Sequence, residues 1–465
     1  MCNYQKNANK ATFVQKETRV KPLKYQGQGT QLCIPFRESE ILREVNNLME
    51  VICSRENLNK AYKNVLKNEG AAGVDGMTIE ELLPYLKENG PRIKEQLLDG
   101  SYQFHPVKEV AIPKPGGKGT RKLGIPTVVD RVVSQAILQV LQKHFDPRFS
   151  KQSYGFRPNK SAHQAILQAQ AYVKQGYRYV VDIDLENFFG QVNHDKLMSE
   201  VAKTIQDKRL LRLLRQLLTS GILANGLAKP SDRGMPQGNP LSPLLSNILL
   251  DLLDKELEKR GHKFCRFADD CNIYVRSARA GKRVMASLEN FIIKKLKLRV
   301  NQHKSAVDVI YRRNFLGFSF TKSKENPRIK ISPKAVQGFK GIMRKLTLAS
   351  KWTSMPDVIK RIVNYSKGWL AYFDYSQVPS ILSKLIAWLR RKLRCAFWRQ
   401  WKTAKHRYDQ LRKLGVHHDF ARITAGSNKR QWRMSKSRSL QFALSNAYFA
   451  SLGIPNFVCR IRQSF

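Results

Sequence analysis

Acidic residues are scarce in this chain: 36 Asp and Glu stand against 83 Lys and Arg, a formal net charge of +47 over 465 residues. So large an excess opposes a compact state through self-repulsion unless a polyanion neutralises it, and solubility alone requires far less. Nucleic acid is the expected partner, bound with a steep dependence on salt. Cysteine is sparse as well. The seven are odd in number, scattered, and never spaced as Cys-x-x-Cys, which excludes a disulfide scaffold and a structural zinc site and fits a reducing cytoplasm. No stretch approaches the eighteen or so apolar residues of a membrane span, since Leu241 to Leu253 is interrupted by Ser, Pro and Asp. The first sixteen residues are mostly polar and lack the apolar core of a signal peptide. Tryptophan is missing from the first 351 residues; all six lie between Trp352 and Trp432. They share the last 145 residues, 321–465, with 31 Lys and Arg against 5 acids. That mixture suits phosphate neutralisation with base stacking, although most of these tryptophans read as ordinary core.

What is present fits about three domains. Residues 1–36 mix Lys, Gln, Gly and Thr without periodicity and read as a flexible basic arm. Helical spacing starts at Ile41 and continues through Leu58–Leu66 and Glu80–Leu98. Short strands at Val110–Ile112 and Leu123–Ile125 flank the basic, glycine-rich stretch Lys114 to Arg121, and Asp130–Phe145 reads as a long helix. Further helices are expected at His194–Leu218, Leu244–Lys259 and Arg279–Leu296, with a strand at Phe315–Phe320. The pattern is α+β to about residue 330 and almost wholly helical and basic beyond. His417-His418, without nearby cysteines, reads as surface.

The chemistry centres on Phe267-Ala268-Asp269-Asp270, two adjacent carboxylates between two apolar runs. The pattern predicts strand, tight turn and strand, with both carboxylates at the tip. An isolated Asp-Asp is ordinarily a solvated turn, and two like charges this close need a cation or an exposed position. The β-branched strand Tyr179–Leu185 carries Asp182 and Asp184 on one face. Three carboxylates meeting on neighbouring strands would be hard oxygen ligands for Mg²⁺ and substrate phosphates. Two ions about 3.5–4 Å apart stabilise an attacking 3′-hydroxyl and a leaving pyrophosphate, the chemistry of nucleotidyl transfer.

The order Asp184…Phe189, Pro236-Gln237-Gly238…Leu241-Ser242-Pro243-Leu244, Phe267-Ala268-Asp269-Asp270, Phe315-Leu316-Gly317-Phe318 resembles the reverse transcriptases. Ile112-Pro113-Lys114, Arg121-Lys122-Leu123-Gly124-Ile125-Pro126-Thr127 and Ser153-Tyr154-Gly155-Phe156-Arg157-Pro158 are similar to the group II intron-encoded branch. So are Lys367 to Phe373 and Trp398-Arg399-Gln400-Trp401-Lys402, and the chain looks nearest the compact bacterial class C type, which lacks an endonuclease.

The resemblance implies a right-hand polymerase, with fingers and palm over 37–330, a helical thumb or maturase domain over 331–405 and a basic DNA-binding region over 406–465. It implies Asp184, Asp269 and Asp270 as catalytic metal ligands for two Mg²⁺ ions, with the Leu185 carbonyl completing a shell. Lys114 and Arg121 would grip the incoming dNTP, Phe189 would exclude a ribose 2′-hydroxyl, Gln237 would contact the nucleotide, and Arg157 would support structure. The implied partners are intron RNA, an RNA template with its DNA primer, target DNA and dNTPs, in a bacterial cytoplasm near the nucleoid. The implied activity is target-primed reverse transcription together with help in splicing. A host-recruited reverse transcriptase of repair or phage defence, and a splicing factor with little polymerase activity, are the alternatives. Three departures from the family pattern stand out: Gly190 where Asp is common, Asn239 where a second Gly is frequent, and Phe267 for the usual Tyr. Of these, Gly190 is expected to loosen the loop below the site.

Overall fold

The computed structural model describes residues 47–113, 119–224, 227–229, 233–323 and 325–456. The arm expected over 1–36 and the side chain of Lys114 lie outside them. Three helices open the described chain: α1 (Leu48–Ile52), α2 (Arg55–Lys67) and α3 (Ile79–Asp99). The Ser54 hydroxyl accepts from Asn57 N to start α2, and a Thr78/Glu81 capping box starts α3. Gly100, in the left-handed conformation at φ 81°, ends α3.

A first sheet runs in the order β2-β1-β4-β5. In it β1 (Val107–Pro113) and β2 (Thr120–Ile125) form an antiparallel hairpin with Ile112 opposite Arg121. β4 (Ile222–Ala224) joins β1 in parallel and β5 (Leu227–Lys229) closes the edge. Between the hairpin halves of this sheet the chain forms α4 (Val128–Phe145), capped by Thr127, and α5 (Ala162–Lys174). Helix α5 is not among the elements expected above, although its start carries the Ser161/Gln164 capping box.

The second sheet has the order β6-β7-β3-β8 and is antiparallel throughout: β3 is Tyr179–Ile183, β6 Lys263–Phe267, β7 Asp270–Val275 and β8 Ala306–Val309. Alternation along the strands divides its faces. Val181, Ile183, Cys271, Ile273 and Val275 enter one core with the long helix α9 (Ser242–Lys259) and the opening helices. Val180 and Tyr274 enter the other core, and Asp182 and Asn272, opposite one another, continue that second face.

The single helix expected over 194–218 is two. α6 (Phe188–Gln191) is followed by α7 (His194–Ala202), and α8 (Lys208–Thr219) restarts after a break. Asp207 makes the break, because its carboxylate caps α8 through Arg209 N and Leu210 N and also accepts from Met49 N at 3.1 Å. Past α10 (Ala278–Phe291), the strand expected at 315–320 shortens to β9 (Phe318–Phe320), paired with β10 (Ile329–Ile331). Leu316 and Gly317 take positive φ and turn the chain instead.

The described residues after Ile331 contain helices and no strand: α11 (Pro333–Leu348), α12 (Met355–Phe373), α13 (Pro379–Gln400), α14 (Ala404–Lys413), α15 (His418–Ala425), α16 (Gln431–Met434), α17 (Arg438–Ala443) and α18 (Asn446–Ser451). They share the second core with Val180, Cys265 and Tyr274 of the second sheet and with Phe318 of β9, through Phe339, Leu370, Leu389 and Trp398. Trp398 and Trp401 are core, whereas Trp352 is 77% and Trp432 43% exposed.

Asp207→Ala removes the α8 cap and the Met49 tie together. It is expected to cost about 2 kcal/mol, read as a lower urea midpoint with unchanged slope; a loss under about 0.5 kcal/mol contradicts this role.

Candidate active site

The Asp-Asp hairpin is built on a buried arginine. Arg266, at 0% exposure, is the next-to-last residue of β6 and uses all five of its N–H donors. Nε and Nη2 fork onto the two oxygens of buried Asp254, Nε at 2.7 Å. Nη1 reaches Asn247 Oδ1 and the Ala268 carbonyl, each at 2.9 Å, and Nη2 reaches Ser153 Oγ at 2.8 Å. The bond to Ala268 fixes the turn residue itself, whose φ of 57° is left-handed without being glycine. Gly155 backs onto the same turn so closely that a Cβ there would lie 2.2 Å from Ala268 N. Tyr154 N donates to Arg266 O at 2.8 Å and Asn247 Nδ2 to Gly155 O at 2.9 Å, so the Ser153 to Pro158 motif is the floor of the hairpin. Arg157 clamps that floor from outside, to Asp146 Oδ1 at 2.7 Å and to the carbonyls of Ser150 and Ser153.

The turn leaves Asp269 exposed at the tip and starts β7 at Asp270. Asp270 and Asp182 lie on one face of the sheet, and Asp184 continues that face just past β3. Burial pushes the Asp270 carboxyl up to about 8, and repulsion from Asp182, Asp269 and Asp184 adds to it. Asp182 is also raised, chiefly by burial, against the pull of Arg313, whose Nε donates to Asp182 Oδ2 at 2.9 Å and whose Nη2 makes a closer contact. Arg313 Nη2 also holds the Lys304 carbonyl at 2.8 Å, and Lys304 Nζ stands 3.2 Å from Asp184 Oδ1. The loop carrying Lys304 is stitched to the strand end by Asn301 N to Asp184 O at 2.8 Å and Glu186 N to Arg299 O at 2.9 Å. These stitches do not use the Leu185 carbonyl oxygen.

Hard carboxylate oxygens gathered closely enough to repel one another suit a divalent ion. Among the described residues no three of them already form a metal-holding cluster; Lys304 is paired with Asp184 and Arg313 with Asp182.

The remaining expected residues gather around the loop 234–240. Arg121 Nε donates to Gln237 Oε1 at 2.6 Å, and Gly124 N to Gln237 O at 2.8 Å, tying β2 to the loop. Gly238 has φ 130° and a Cβ there would meet Gly124 O at 2.4 Å, so only glycine permits this approach. Asn239 is buried, donating to Ser134 Oγ and accepting from Leu241 N, each at 2.9 Å. Its side chain anchors the loop to α4. Phe189 is half-buried, packs edge-on to Phe188 at 5.3 Å and accepts Met235 N at 2.7 Å, which joins it to the same loop. Gly190 is exposed in α6; a Cβ there would lie 2.3 Å from the exposed Asn187 Nδ2, and its N–H donates to Asn187 O at 2.9 Å. Sequence reasoning missed Arg266, Lys304 and Arg313, single basic residues in a very basic chain with no periodicity to mark them.

Residues 112–320 match the model of the reverse transcriptase (RNA-dependent DNA polymerase) family. The class these elements define is therefore that of RNA-directed DNA polymerases. Residues 336–415 match the group II intron, maturase-specific domain. Protein YkfC of Escherichia coli is 31% identical over 57% of this chain and 79% of its own length. The group II intron-encoded protein LtrA of Lactococcus lactis is 34% identical over 44% of this chain and 34% of its own. The putative COX1/OXI3 intron 1 protein of Saccharomyces cerevisiae is 32% identical over 46% of this chain and 25% of its own. The chain thus spans most of the first relative but only about a third and a quarter of the other two. It belongs to the group II intron reverse transcriptase/maturase family, with a mixed helix-and-strand polymerase region followed by a helical one.

Two outcomes follow from this geometry. Arg266→Met strands the Asp254 carboxylate in the core and frees the Ala268 carbonyl; stability is expected to fall by about 3–5 kcal/mol, with much of it recovered when Asp254→Leu is added. Equal urea midpoints for wild type and Arg266→Met contradict this. The second concerns pH. The folded Asp270 carboxyl keeps its proton to about pH 8, while in the unfolded chain it ionises near 3.8. Between those values the folded state binds the extra proton, so the contribution is fully present below the lower value and is lost as pH rises toward the upper. In chelator-treated protein, Asp270→Asn should flatten that decline and raise Tm at pH 8 by roughly 3 °C; an unchanged pH profile of Tm contradicts the assignment.

Proposed function

We propose that this protein copies RNA into DNA at the Asp184, Asp269 and Asp270 carboxylates, adding dNTPs to a primer 3′-hydroxyl. The observation that carries the reading is one face of the sheet bearing Asp184 beside Asp270, with Asp269 at a turn locked by a buried arginine. Two Mg²⁺ ions held by the three carboxylates and the Leu185 carbonyl would supply the charge that activates the hydroxyl and steadies the leaving pyrophosphate. The protein's own part is positional. Arg266 fixes the hairpin, Lys304 offsets the Asp184 charge against Asp270, and Arg313 keeps Asp182 from competing as a ligand.

Arg121 and Gln237, bonded to one another at 2.6 Å, form one wall for the incoming nucleotide; Lys114, outside the described residues, is assigned to the same nucleotide by the family resemblance alone. Phe189, anchored between Phe188 and Met235, is the ring that excludes a ribose 2′-hydroxyl. The domain limits follow the same reading: fingers and palm over 37–330, thumb and maturase over 331–405, and a DNA-contacting region over 406–465. Intron RNA, its splicing, target DNA and target-primed copying enter through the maturase-specific match. The net charge of +47 suits such polyanions. No helix of the described residues is long and apolar enough to cross a membrane, and a bacterial ribonucleoprotein setting goes with this reading.

Primer extension on an RNA template with Mg²⁺ tests it. Asp269→Ala with Asp270→Ala should lower the rate roughly 10²–10³-fold or more while leaving RNA binding in place. Equal extension by wild type and variant sinks the assignment.

A further inference from the structure

The helices α2 and α4 are clasped together by amides. Asn57 Nδ2 donates to the carbonyls of Ile52 at 2.9 Å and Ala136 at 3.1 Å. Gln139 Nε2 donates to Asn57 Oδ1 at 2.8 Å and to Asn57 O at 3.1 Å, and Gln139 Oε1 accepts from Asn64 Nδ2 at 2.9 Å. Breaking this clasp would strand amide groups at a partly buried seam, so it fixes the spacing of the two helices. Along the same seam an open cleft of about 410 Å³ lies between the helices and the turn that follows α4. That volume is within the roughly 300–1,000 Å³ of small-ligand sites. The described residues that line it include neither an active-site carboxylate nor a member of the 234–240 loop.

The lining combines three kinds of group. Gln135 and Gln142 flank Gln139 on one face of α4. Unlike Gln139, their amides have no hydrogen-bond partner among the described residues. Lys60 of α2 and Lys143 of α4 add two exposed ammonium groups, neither of them in an ion pair among the described residues. The one acid among the described lining residues, Asp146, is already taken by Arg157. Nε of Arg157 donates to Asp146 Oδ1 at 2.7 Å and Nη2 to the Asp146 carbonyl at 2.8 Å. That clamp also sets the apolar part of the cleft. Pro147 follows Asp146 and Pro158 follows Arg157, so two exposed pyrrolidine rings border the cleft from segments tied to one another.

Each group selects part of one ligand. A primary amide offers a donor and an acceptor side by side, the pattern that meets a nucleobase edge, as when Gln or Asn pairs with adenine. Pyrrolidine rings give the face of a base an apolar surface to lie on. Ammonium groups without a carboxylate of their own suit a phosphate. A simple anion would use the lysines and leave the amides and rings without a role. We propose that the cleft between α2 and α4 is a second nucleotide site, with the base among Gln135, Gln142 and the two prolines and the phosphate on Lys60 and Lys143. The nucleotide is either free or one unit of a strand. This site is separate from the carboxylates, holds its ligand without turning it over, and does not depend on where polymerisation takes place.

Calorimetric titration of AMP into the full chain, at low salt with EDTA present, tests this. EDTA removes divalent ions and so silences metal-dependent binding at the carboxylates. The wild type should bind AMP saturably, and adenosine more weakly. Gln135→Ala with Gln142→Ala should weaken AMP binding roughly tenfold. Lys60→Gln with Lys143→Gln should weaken it about fivefold and remove most of its salt dependence. Neither pair touches the Asn57–Gln139–Asn64 clasp, so an unchanged Tm separates a lost contact from a lost fold. Asp269→Ala with Asp270→Ala should leave AMP binding as it is. A short oligoadenylate separates the two sources: displacement of AMP at far lower concentration than AMP itself requires assigns the site to a strand, and displacement at equal concentration assigns it to the free nucleotide. No saturable AMP binding by the wild type, or equal affinity in both paired variants, overturns the proposal. Loss of AMP binding in the Asp269/Asp270 variant places the nucleotide at the carboxylates and overturns it too.

Discussion

One buried guanidinium organises the centre of this molecule. Removing an arginine from water costs several kcal/mol unless every donor is met, and Arg266 meets all five, on Asp254, Asn247, Ser153 and Ala268. Its partners come from α9, from the floor segment at Ser153 and from the acidic turn, so three stretches far apart in sequence are fixed to one point. The left-handed Ala268 is tolerable because this network over-determines it. Gly155 follows from the same constraint, since no side chain fits between the floor and the turn.

That rigid base lets carboxylates stand together at the end of a sheet. Repulsion is handled by distribution. Arg313 takes Asp182, Lys304 takes Asp184, Asp269 stays in solvent, and Asp270 keeps its proton. Arg313 also holds the Lys304 carbonyl, so the two cations belong to one device. The nucleotide-side loop is anchored separately, by glycine contacts to β2 and by Asn239 to α4. In the family pattern Asn239 is a departure, and its buried side chain supplies a tether that a glycine lacks.

Local pattern made some of this legible. The alternation of Tyr179–Leu185 and the hairpin around Asp269 emerged from strand chemistry, and both stand as strands with Asp184 and Asp270 on one face. Charge counting foresaw a basic, helical final third, although the α7/α8 break escaped it. There the competing signal was Asp207, whose carboxylate caps α8 more favourably than a continuous helix would use it. The helix α5 was legible too, since Ala165, Ile166, Ala169, Tyr172 and Val173 follow its capping box at helical spacing, but it is not among the expected elements. Lys304, Arg313 and Arg266 were illegible for a different reason. Their roles come from partners 120, 131 and 113 residues away, and in a chain with 83 basic residues no single cation stands out.

The central claim is that the Asp184, Asp269 and Asp270 carboxylates form one divalent-cation site for polymerisation. Anomalous scattering from crystals grown with primer–template, dNTP and Mn²⁺ tests it most directly. The account predicts two manganese peaks between the Asp184 strand end and the Asp269–Asp270 turn, with Lys304 displaced from Asp184. Peaks located elsewhere, or an Asp184–Lys304 pair that persists with the complex fully bound, would contradict it.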